Sequence, residues 1–230
     1  MFDEVTDKVD KWHLKRWGMF TSSENYKLLV GSKIGGAFGD TAMSYIETKA
    51  MEMCTVMWEK PKMDEVKAFL HGGMYEYPAF RAYINKTGYE MTYLGSENPV
   101  FIDDESLLGE SGGSPDSLSM NDDLKITRLA EIKCPFNPMN HFLRLKWKTQ
   151  WDIREGSMQA YCQMQHLLKI TGAPVCDFIS YDERMKDERM KLKIIEVYPD
   201  KKFQDNLHFR ILKAIEEKYK IINEWKALCG

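Results

Sequence analysis

Three charged residues near the middle of the chain have the types and spacing of a site that cleaves phosphodiesters. Asp116 follows a Ser-Pro pair, and Glu131 and Lys133 stand two positions apart in "LAEIKCPF". Because side chains alternate between the two faces of a strand, Glu131 and Lys133 project to the same side, opposite the apolar Ala130 and Ile132. Two carboxylates, with a strand carbonyl such as that of Ile132, could hold Mg²⁺, which takes oxygen ligands. The metal would activate water, while the lysine would position or deprotonate it and offset the charge of the transition state.

This constellation is the minimal form of the PD-(D/E)xK nuclease site, and its brevity leaves a plainer interpretation open. A Glu-x-Lys pair on an exposed strand is more often a solvated face or a cross-strand ion pair. The apolar residues on the opposite face favour a site only modestly. The pattern by itself raises the hypothesis of a nuclease without deciding it.

Such a site needs a hairpin, and the sequence supplies one. Turn residues 121–123, Asn-Asp-Asp, separate the strand that follows Asp116 from the strand that contains Glu131. An amphipathic pattern predicts a helix that ends at Gly172, and residues 175–182 and 191–200 alternate like paired strands. We predict helical structure over 1–30, with a cap signal in 21–30 before a second helix, further helices at 41–59, 63–88 and 201–228, and short strands at 89–95 and 99–103. The sequence therefore predicts a single α/β domain over residues 1–230, with a central mixed β-sheet flanked by helices.

Composition and charge indicate a globular protein of a reducing compartment. The 230 residues are 43% apolar and 29% charged, and the net charge of −3 argues against broad electrostatic attraction to nucleic acid. Basic residues cluster locally at 13–17, 144–148 and 183–193, although each cluster alone is more typical of a solvated face. The chain shows no apolar run of membrane-spanning length, no signal peptide and no Cys-x-x-Cys pair. We expect a cytoplasmic protein that makes no membrane contact.

Motifs around the hairpin resemble those of the YqaJ-like viral recombinase family, the alkaline or lambda-exonuclease-like branch of the PD-(D/E)xK nucleases. The run "SPDSL…EIKCPF", then "YCQMQ" and then "YDERMK" agree with the family in order and approximate spacing. Upstream, "KRWGMFTSSE", "GGMYEYPA" and "DDES" resemble three further motifs of the family. The resemblance covers most of the chain, from about Arg16 to Phe203, and implies a restriction-endonuclease-like core.

Residue by residue, the resemblance implies a metal centre beside a phosphate site. It implies Asp116, Glu131 and the carbonyl of Ile132 as ligands of Mg²⁺, for which Mn²⁺ could substitute. The resemblance makes Asp104 and Glu76 second-metal or outer acids. It implies that Lys133 is the catalytic lysine and that Gln163 orients water or substrate. It also implies a set of residues that bind the 5′-phosphate and DNA: Arg16, Thr21, Ser23 and Ser114.

One position departs from the family pattern. The family has an arginine shortly after Cys-Pro-Phe that helps bind the 5′-phosphate, and Met139 stands at the corresponding position here. Either Arg144 or Lys146 takes over this contact, or the dependence on a 5′-phosphate is weaker in this protein.

The resemblance implies a Mg²⁺-dependent exonuclease that degrades linear double-stranded DNA in the 5′-to-3′ direction. The resulting 3′ single-stranded tails would serve recombination by strand annealing, with a single-strand annealing protein as a partner and a ring-shaped homotrimer as the assembly. Two alternatives stay open at this point: a nuclease of the same fold acting on RNA or branched DNA, and a non-catalytic nucleic-acid-binding module.

Overall fold

A computed structural model describes residues 11–31, 37–56, 66–95 and 98–229, with backbone only at 66–69. A helical stretch over residues 11–16 precedes strand β1, Phe20–Thr21, and the 3-10 helix Asn25–Leu29. Two long helices follow, α1 at Asp40–Cys54 and α2 at Val66–Thr87. Short strands β2, Thr92–Tyr93, and β3, Ile102–Asp103, lead to the 3-10 helix Glu105–Leu107 and to strand β4, Ser111–Gly113.

The second half of the chain carries the longer elements. Strands β5, Ser117–Met120, and β6, Ile126–Lys133, form the predicted hairpin. Two short helices, α3 at Pro138–Arg144 and α4 at Gln150–Gly156, precede helix α5 at Met158–Thr171. Strand β7, Cys176–Tyr181, is joined through the 3-10 helix Glu188–Met190 to strand β8, Leu192–Val197, and helix α6, Lys201–Leu228, follows.

Two sheets organise these strands. The main sheet has the order β2-β5-β6-β7-β8, in which β6 and β7 run parallel and the other neighbours run antiparallel. The smaller sheet has the order β1-β4-β3, with β1 parallel to β4 and β3 antiparallel to it. The prediction of an α/β fold with a mixed sheet flanked by helices is confirmed.

Both faces of strand β6 are covered, which decides how the strand presents its polar residues. Leu129 packs into one apolar core together with residues of helices α1, α5 and α6. Ala130 and Ile132 pack into a second core with Ala79 and Tyr83 of helix α2. The alternation predicted from the sequence is therefore present, but Glu131 shares the covered face of Leu129 and does not lie on a solvated surface.

The structure corrects several predicted boundaries. Strand β1 interrupts the segment predicted to be helical up to residue 30, because Phe20 and Thr21 pair with Ser111 and Gly112 about ninety positions away. The second helix predicted within 21–30 is present as the 3-10 helix Asn25–Leu29. Helices α3 and α4 were not predicted. Parts of three predicted segments lie outside the described residues, which exclude 1–10, 32–36 and 57–65. No helix in the described part of the chain is both long enough and apolar enough to span a bilayer.

Candidate active site

A cleft of about 260 Å³ brings together most of the residues predicted to act in the site. Two groups of side chains line it, contributed by the N-terminal segment, helix α2, the β4–β5 connection, strand β6 and helix α5. The carboxylate cluster consists of Glu76, Asp116, Glu131, Lys133 and Gln163, with Ile132 beside it. The hydroxyl cluster consists of Trp12, Arg16, Thr21, Ser23 and Ser114.

The hairpin register sets the two central acids side by side. Ser117 of strand β5 lies opposite Ala130 of strand β6, so the preceding residue, Asp116, lies beside Glu131. The Oδ2 atom of Asp116 accepts a hydrogen bond of 2.6 Å from the backbone N–H of Ile132, which fixes the carboxylate against the strand. The predicted juxtaposition of the two acids is therefore present in the structure.

Glu131 is fully buried and is held by two neighbours. Its Oε1 accepts a hydrogen bond from the Nζ of Lys133, and its Oε2 accepts one of 2.8 Å from the Nε2 of Gln163. The Nζ of Lys133 also lies 3.4 Å from the Oε1 of Gln163, which closes a three-residue network. A buried carboxylate needs such partners, because an unpaired charge away from water costs several kcal/mol.

Burial is the main cause that raises the pKa values of the acids of the cleft. Burial, and then the charge of Asp116, raise the pKa of Glu131 to about 8 against the opposing charge of Lys133. Burial and the charge of Asp116 likewise raise the pKa of Glu76 to about 7, although a hydrogen bond of 2.8 Å from Tyr93 lowers it. Burial raises the pKa of Asp116 as well. Acids arranged so closely favour a bound cation, which would relieve their repulsion.

Lys133 differs from the acids, because its charged form is favoured. Burial lowers its pKa, but the charges of Glu131 and Asp116 outweigh that effect and raise it above the ordinary value. About a third of the side chain remains exposed, at 32%, on the cleft side. The residue is therefore an ammonium group aimed at the cleft, suited to neutralising a phosphate.

The donor set fits a hard cation held by few protein ligands. Within the described residues, no three His, Cys, Asp or Glu side chains converge on one ion position. Two carboxylates, Asp116 and Glu131, remain available beside the backbone of Ile132. Mg²⁺ is commonly held by one or two carboxylates while it keeps several waters, so these oxygen donors suit it. The described residues that line the cleft include no Cys or His, so they do not favour a soft metal that prefers sulfur or imidazole.

The hydroxyl cluster offers cationic and hydroxyl donors beside these acids. The hydroxyls of Thr21 and Ser23 lie 3.4 Å apart. Burial lowers the pKa of Arg16, while the nearby charges of Glu24 and other groups favour its protonated form. A partly desolvated guanidinium flanked by hydroxyls is the arrangement that proteins use to bind phosphate.

Three of the predicted residues do not line the cleft: Asp104, Arg144 and Lys146. Asp104 is 3% exposed and lies behind the cleft, where its Oδ2 is 3.5 Å from the Nε2 of His166 and its Oδ1 accepts hydrogen bonds from Ser106. The proposed role of Asp104 as a second-metal acid therefore finds no geometric support. Lys146 is exposed and lies beyond the end of helix α3, outside the lining of the cleft.

Arg144 is the other residue that the sequence offered as a replacement for the arginine missing at Met139. Its charge acts on Lys133, and its Nη1 lies 3.4 Å from the hydroxyl of Ser180 at the end of strand β7. The guanidinium also lies over the rings of Trp147 and Phe178, at 5.8 and 5.7 Å from their centroids. Of the two candidates to replace the arginine missing at Met139, Arg144 is thus the one near the cleft.

Sequence reasoning missed two polar residues of the cleft. Trp12 was not among the predicted site residues, yet its indole N–H donates a hydrogen bond of 2.8 Å to the hydroxyl of Ser114. Gln159 also lines the cleft and donates a hydrogen bond of 3.2 Å to the carbonyl of Ser23. A signal was available for Gln159, because it precedes Gln163 by four positions and so shares its helix face.

Comparison with known proteins places the chain in a family. The model of the YqaJ-like viral recombinase domain matches residues 11–174, and the chain belongs to this family. The family and the fold, which is shared with an alkaline exonuclease, support a nuclease that acts on DNA. A search of curated proteins found no match.

Solved structures resemble the chain over nearly its whole length. The alkaline exonuclease LHK-Exo from Laribacter hongkongensis matches with a TM-score of 0.76 and 25% identity, over 96% of this chain and 97% of that one. LHK-Exo in complex with dAMP matches with the same TM-score and coverage at 24% identity. A phage-related exonuclease from Haemophilus somnus 129PT shares the fold at a TM-score of 0.67 and 15% identity, over 90% of this chain and 96% of that one.

Proposed function

We propose that the protein is a Mg²⁺-dependent exonuclease that degrades linear double-stranded DNA in the 5′-to-3′ direction and leaves 3′ single-stranded tails. One observation carries the proposal: a carboxylate cluster with a cationic lysine and a hydroxyl cluster with an arginine line the same cleft. The first suits hydrolysis of a phosphodiester, and the second suits capture of a terminal phosphate. The similarity to alkaline exonuclease LHK-Exo supports the same activity.

In this proposal the chain's own residues hold and orient the scissile phosphate. The ammonium of Lys133 offsets negative charge that develops on the phosphate oxygens, as a preorganised cation does in a cleft of low dielectric. Gln163, held by its hydrogen bond to Glu131, presents its amide beside Lys133 and orients water or substrate. Bound Mg²⁺, held by Asp116 and Glu131, would supply Lewis-acid activation of water.

The proposal assigns end recognition to the hydroxyl cluster. Ser114 precedes Asp116 by two positions, so a phosphate bound at Ser114 lies close to the carboxylates. The fork of Arg16 donors and the hydroxyls of Ser23 and Ser114 would bind the 5′-phosphate of the strand being degraded. Arg144 would add a second cation in place of the family's arginine.

The decisive experiment compares labelled substrates. Linear duplexes labelled at either 5′ or 3′ end are incubated with the protein and Mg²⁺, beside closed circular DNA, branched DNA and RNA duplexes. We expect mononucleotide release from 5′ ends of linear duplex DNA only. Preferential cleavage of RNA or branched DNA would instead support a different substrate, and binding without cleavage would support a non-catalytic module.

A matched pair of lysine variants tests the assignment of Lys133. Lys133→Met should lower the cleavage rate by at least about 100-fold, because the cation beside the phosphate is lost. The exposed Lys146 lies outside the cleft, so Lys146→Met should retain the rate of the unmodified protein. Near-normal turnover by the Lys133 variant would contradict the assignment.

A further inference from the structure

Trp12 contacts Arg16 and Ser114, the two residues of the hydroxyl cluster that are proposed to donate hydrogen bonds to the 5′-phosphate. Its indole N–H donates to Ser114 at 2.8 Å, and its ring lies 3.9 Å from the guanidinium carbon of Arg16. We propose that Trp12 is a positioning residue that aligns Arg16 and Ser114 and thereby sets the preference for 5′-phosphorylated ends. This inference rests on the proposed function, because it deepens the account of end recognition.

The hydrogen bond to Trp12 fixes the direction in which the Ser114 hydroxyl donates. An indole N–H can only donate, whereas a serine hydroxyl has one hydrogen to donate and two lone pairs that accept. With one lone pair of Ser114 taken by Trp12, the O–H of Ser114 stays free to donate to an oxygen of a phosphate in the cleft. A serine hydroxyl without such a partner rotates among several directions. The hydrogen bond from Trp12 restricts this rotation before a ligand binds, so less entropy is lost on binding.

Stacking fixes the plane of the Arg16 guanidinium. Trp12 and Arg16 stand four positions apart on the helical stretch 11–16, so their side chains share one face of it. A guanidinium that lies over an indole is held by its face, while its N–H groups at the edge remain available to a phosphate. The ring thus orients the arginine without consuming the donors that the ligand needs.

Through these two contacts a single side chain joins distant parts of the chain. Trp12 belongs to the N-terminal segment and Ser114 to the connection between strands β4 and β5, 102 positions away. The distance between the cation and the hydroxyl is therefore set by one rigid ring. If Trp12 is altered, the two donors lose their alignment even though neither has been changed.

Conservative substitution of two tryptophans in the same segment tests the inference. Trp12→Phe keeps an aromatic face for Arg16 but removes the N–H. Trp17→Phe is the matched control, because the N–H of Trp17 donates to the backbone carbonyl of Thr55 at 3.2 Å and Trp17 does not line the cleft. Initial rates are measured on otherwise identical duplexes with 5′-phosphate or 5′-hydroxyl ends, and the thermal unfolding midpoint confirms that each variant is folded.

For Trp12→Phe we expect KM on 5′-phosphate duplexes to rise roughly three- to ten-fold, as the loss of one hydrogen bond implies, with kcat little changed. KM on 5′-hydroxyl duplexes should stay the same. Trp12→Leu, which also removes the aromatic face, should raise KM on 5′-phosphate duplexes by about a further two- to five-fold. Trp17→Phe should leave both substrates unaffected.

A double-mutant cycle shows whether Trp12 acts through Ser114. Ser114→Ala should raise KM on 5′-phosphate duplexes, and adding Trp12→Phe to it should raise KM little further, because the shared contact is already absent. Fully additive effects, or equal losses on both kinds of end, would overturn the positioning role. Should the unmodified protein show no preference between the ends, the proposed end recognition fails and takes this inference with it. If the unmodified protein prefers 5′-phosphate ends and Trp12→Phe shows the same preference undiminished, only the positioning role of Trp12 is overturned.

Discussion

The acidic residues of the cleft are arranged in a way that lowers the folding stability of the protein without a bound cation. Burial raises the pKa values of Glu131, Glu76 and Asp116, and the charge of Asp116 raises those of the two glutamates further. The lysine that offsets them stays protonated. Such an arrangement is poorly explained as a device for stability, because buried like charges destabilise a fold, and it is well explained as a cation-binding site.

This electrostatic balance predicts how stability and metal binding vary with pH. Glu131 and Glu76 bind protons more tightly in the folded state, with pKa values of about 8 and 7 against an ordinary 4.5. Without divalent ions their contribution to folding stability is therefore full below about pH 4.5 and is lost as pH rises to about 8.

Mg²⁺ binding should strengthen over the same range, by roughly ten-fold per pH unit for each proton displaced, because the ion competes with protons. Thermal unfolding at pH 6 and pH 8.5, with and without Mg²⁺, provides the measurement. We expect the ion to raise the unfolding midpoint more at pH 8.5. An equal rise at both pH values would show that these acids do not bind the ion.

Two aspartates that the sequence grouped together should behave differently when each is replaced by asparagine. Asp116→Asn keeps an oxygen for the N–H of Ile132 but loses the charge, so stabilisation by Mg²⁺ should disappear while the fold persists. Asp104→Asn removes the carboxylate that lies 3.5 Å from His166 outside the cleft lining, so it should cost about 1–3 kcal/mol of unfolding free energy and leave metal stabilisation intact.

Urea unfolding with and without Mg²⁺ separates the two effects. Asp104→Asn serves as the control for Asp116→Asn, since both remove one buried acid. Loss of the response to Mg²⁺ in the Asp104 variant would restore that residue to the metal site.

At the scale of elements, strand β6 and helix α5 contribute Glu131, Lys133 and Gln163 to the cleft, and both are covered by neighbouring elements. Strand β6 is paired with β5 on one side and β7 on the other. Helix α5 is buried from Ala160 to Leu168. Side chains that project from such elements have few alternative positions, which suits groups that must be placed to within a fraction of an ångström.

The end of helix α5 offers a prediction about stability that is independent of activity. Gly172 caps the helix in the left-handed region, at φ 68°, and its N–H donates to Leu168 at 3.0 Å. A Cβ there meets nothing within 4 Å, so Gly172→Ala adds backbone strain alone and should cost about 1 kcal/mol.

The matched control is Gly73→Ala, in the interior of helix α2. A Cβ at Gly73 also meets nothing within 4 Å, and φ there is not positive, so the change should stabilise the protein by about 0.5–1 kcal/mol. Chemical denaturation measures both variants. Stability changes of the same sign would contradict the account of the cap.

At the scale of the whole molecule, the cleft draws on residues from Trp12 to Gln163, so the site forms only when the small sheet, the main sheet and helices α2 and α5 are assembled. The net charge of −3 provides no broad positive surface on which a duplex could be held between successive cleavages. A ring that encloses the DNA would solve this problem by topology.

We therefore propose a homotrimeric ring of the 26.9 kDa chain, on the basis of the family resemblance. Cyclic symmetry with head-to-tail contacts closes such a ring. Light scattering after size-exclusion chromatography should give three times the mass of the chain. A competitor-DNA trap added after initiation should leave degradation of the first duplex unaffected, and a monomer that stops on addition of the trap would rule the ring out.

The sequence by itself determined the residue types and their local order. Alternation placed Glu131 and Lys133 on one face of a strand, the turn at 121–123 set Asp116 beside them, and helical periodicity predicted helix α5 up to Gly172. These features depend on neighbours within about twenty positions, so a single sequence contains the information. The motifs added the family, which the comparison confirms.

Only the tertiary structure decided which distant residues meet. The segment predicted to be helical up to residue 30 is interrupted at Phe20 and Thr21 by strand β1, because pairing with strand β4 outweighs local helical preference there. Asp104 lies outside the lining of the cleft, and Trp12 contacts Ser114 across 102 positions. The burial that raises the pKa of Glu131 likewise arises from elements packing on both faces of one strand. Contacts of this kind depend on how sheets and helices assemble, and neither periodicity nor spacing along the chain encodes them.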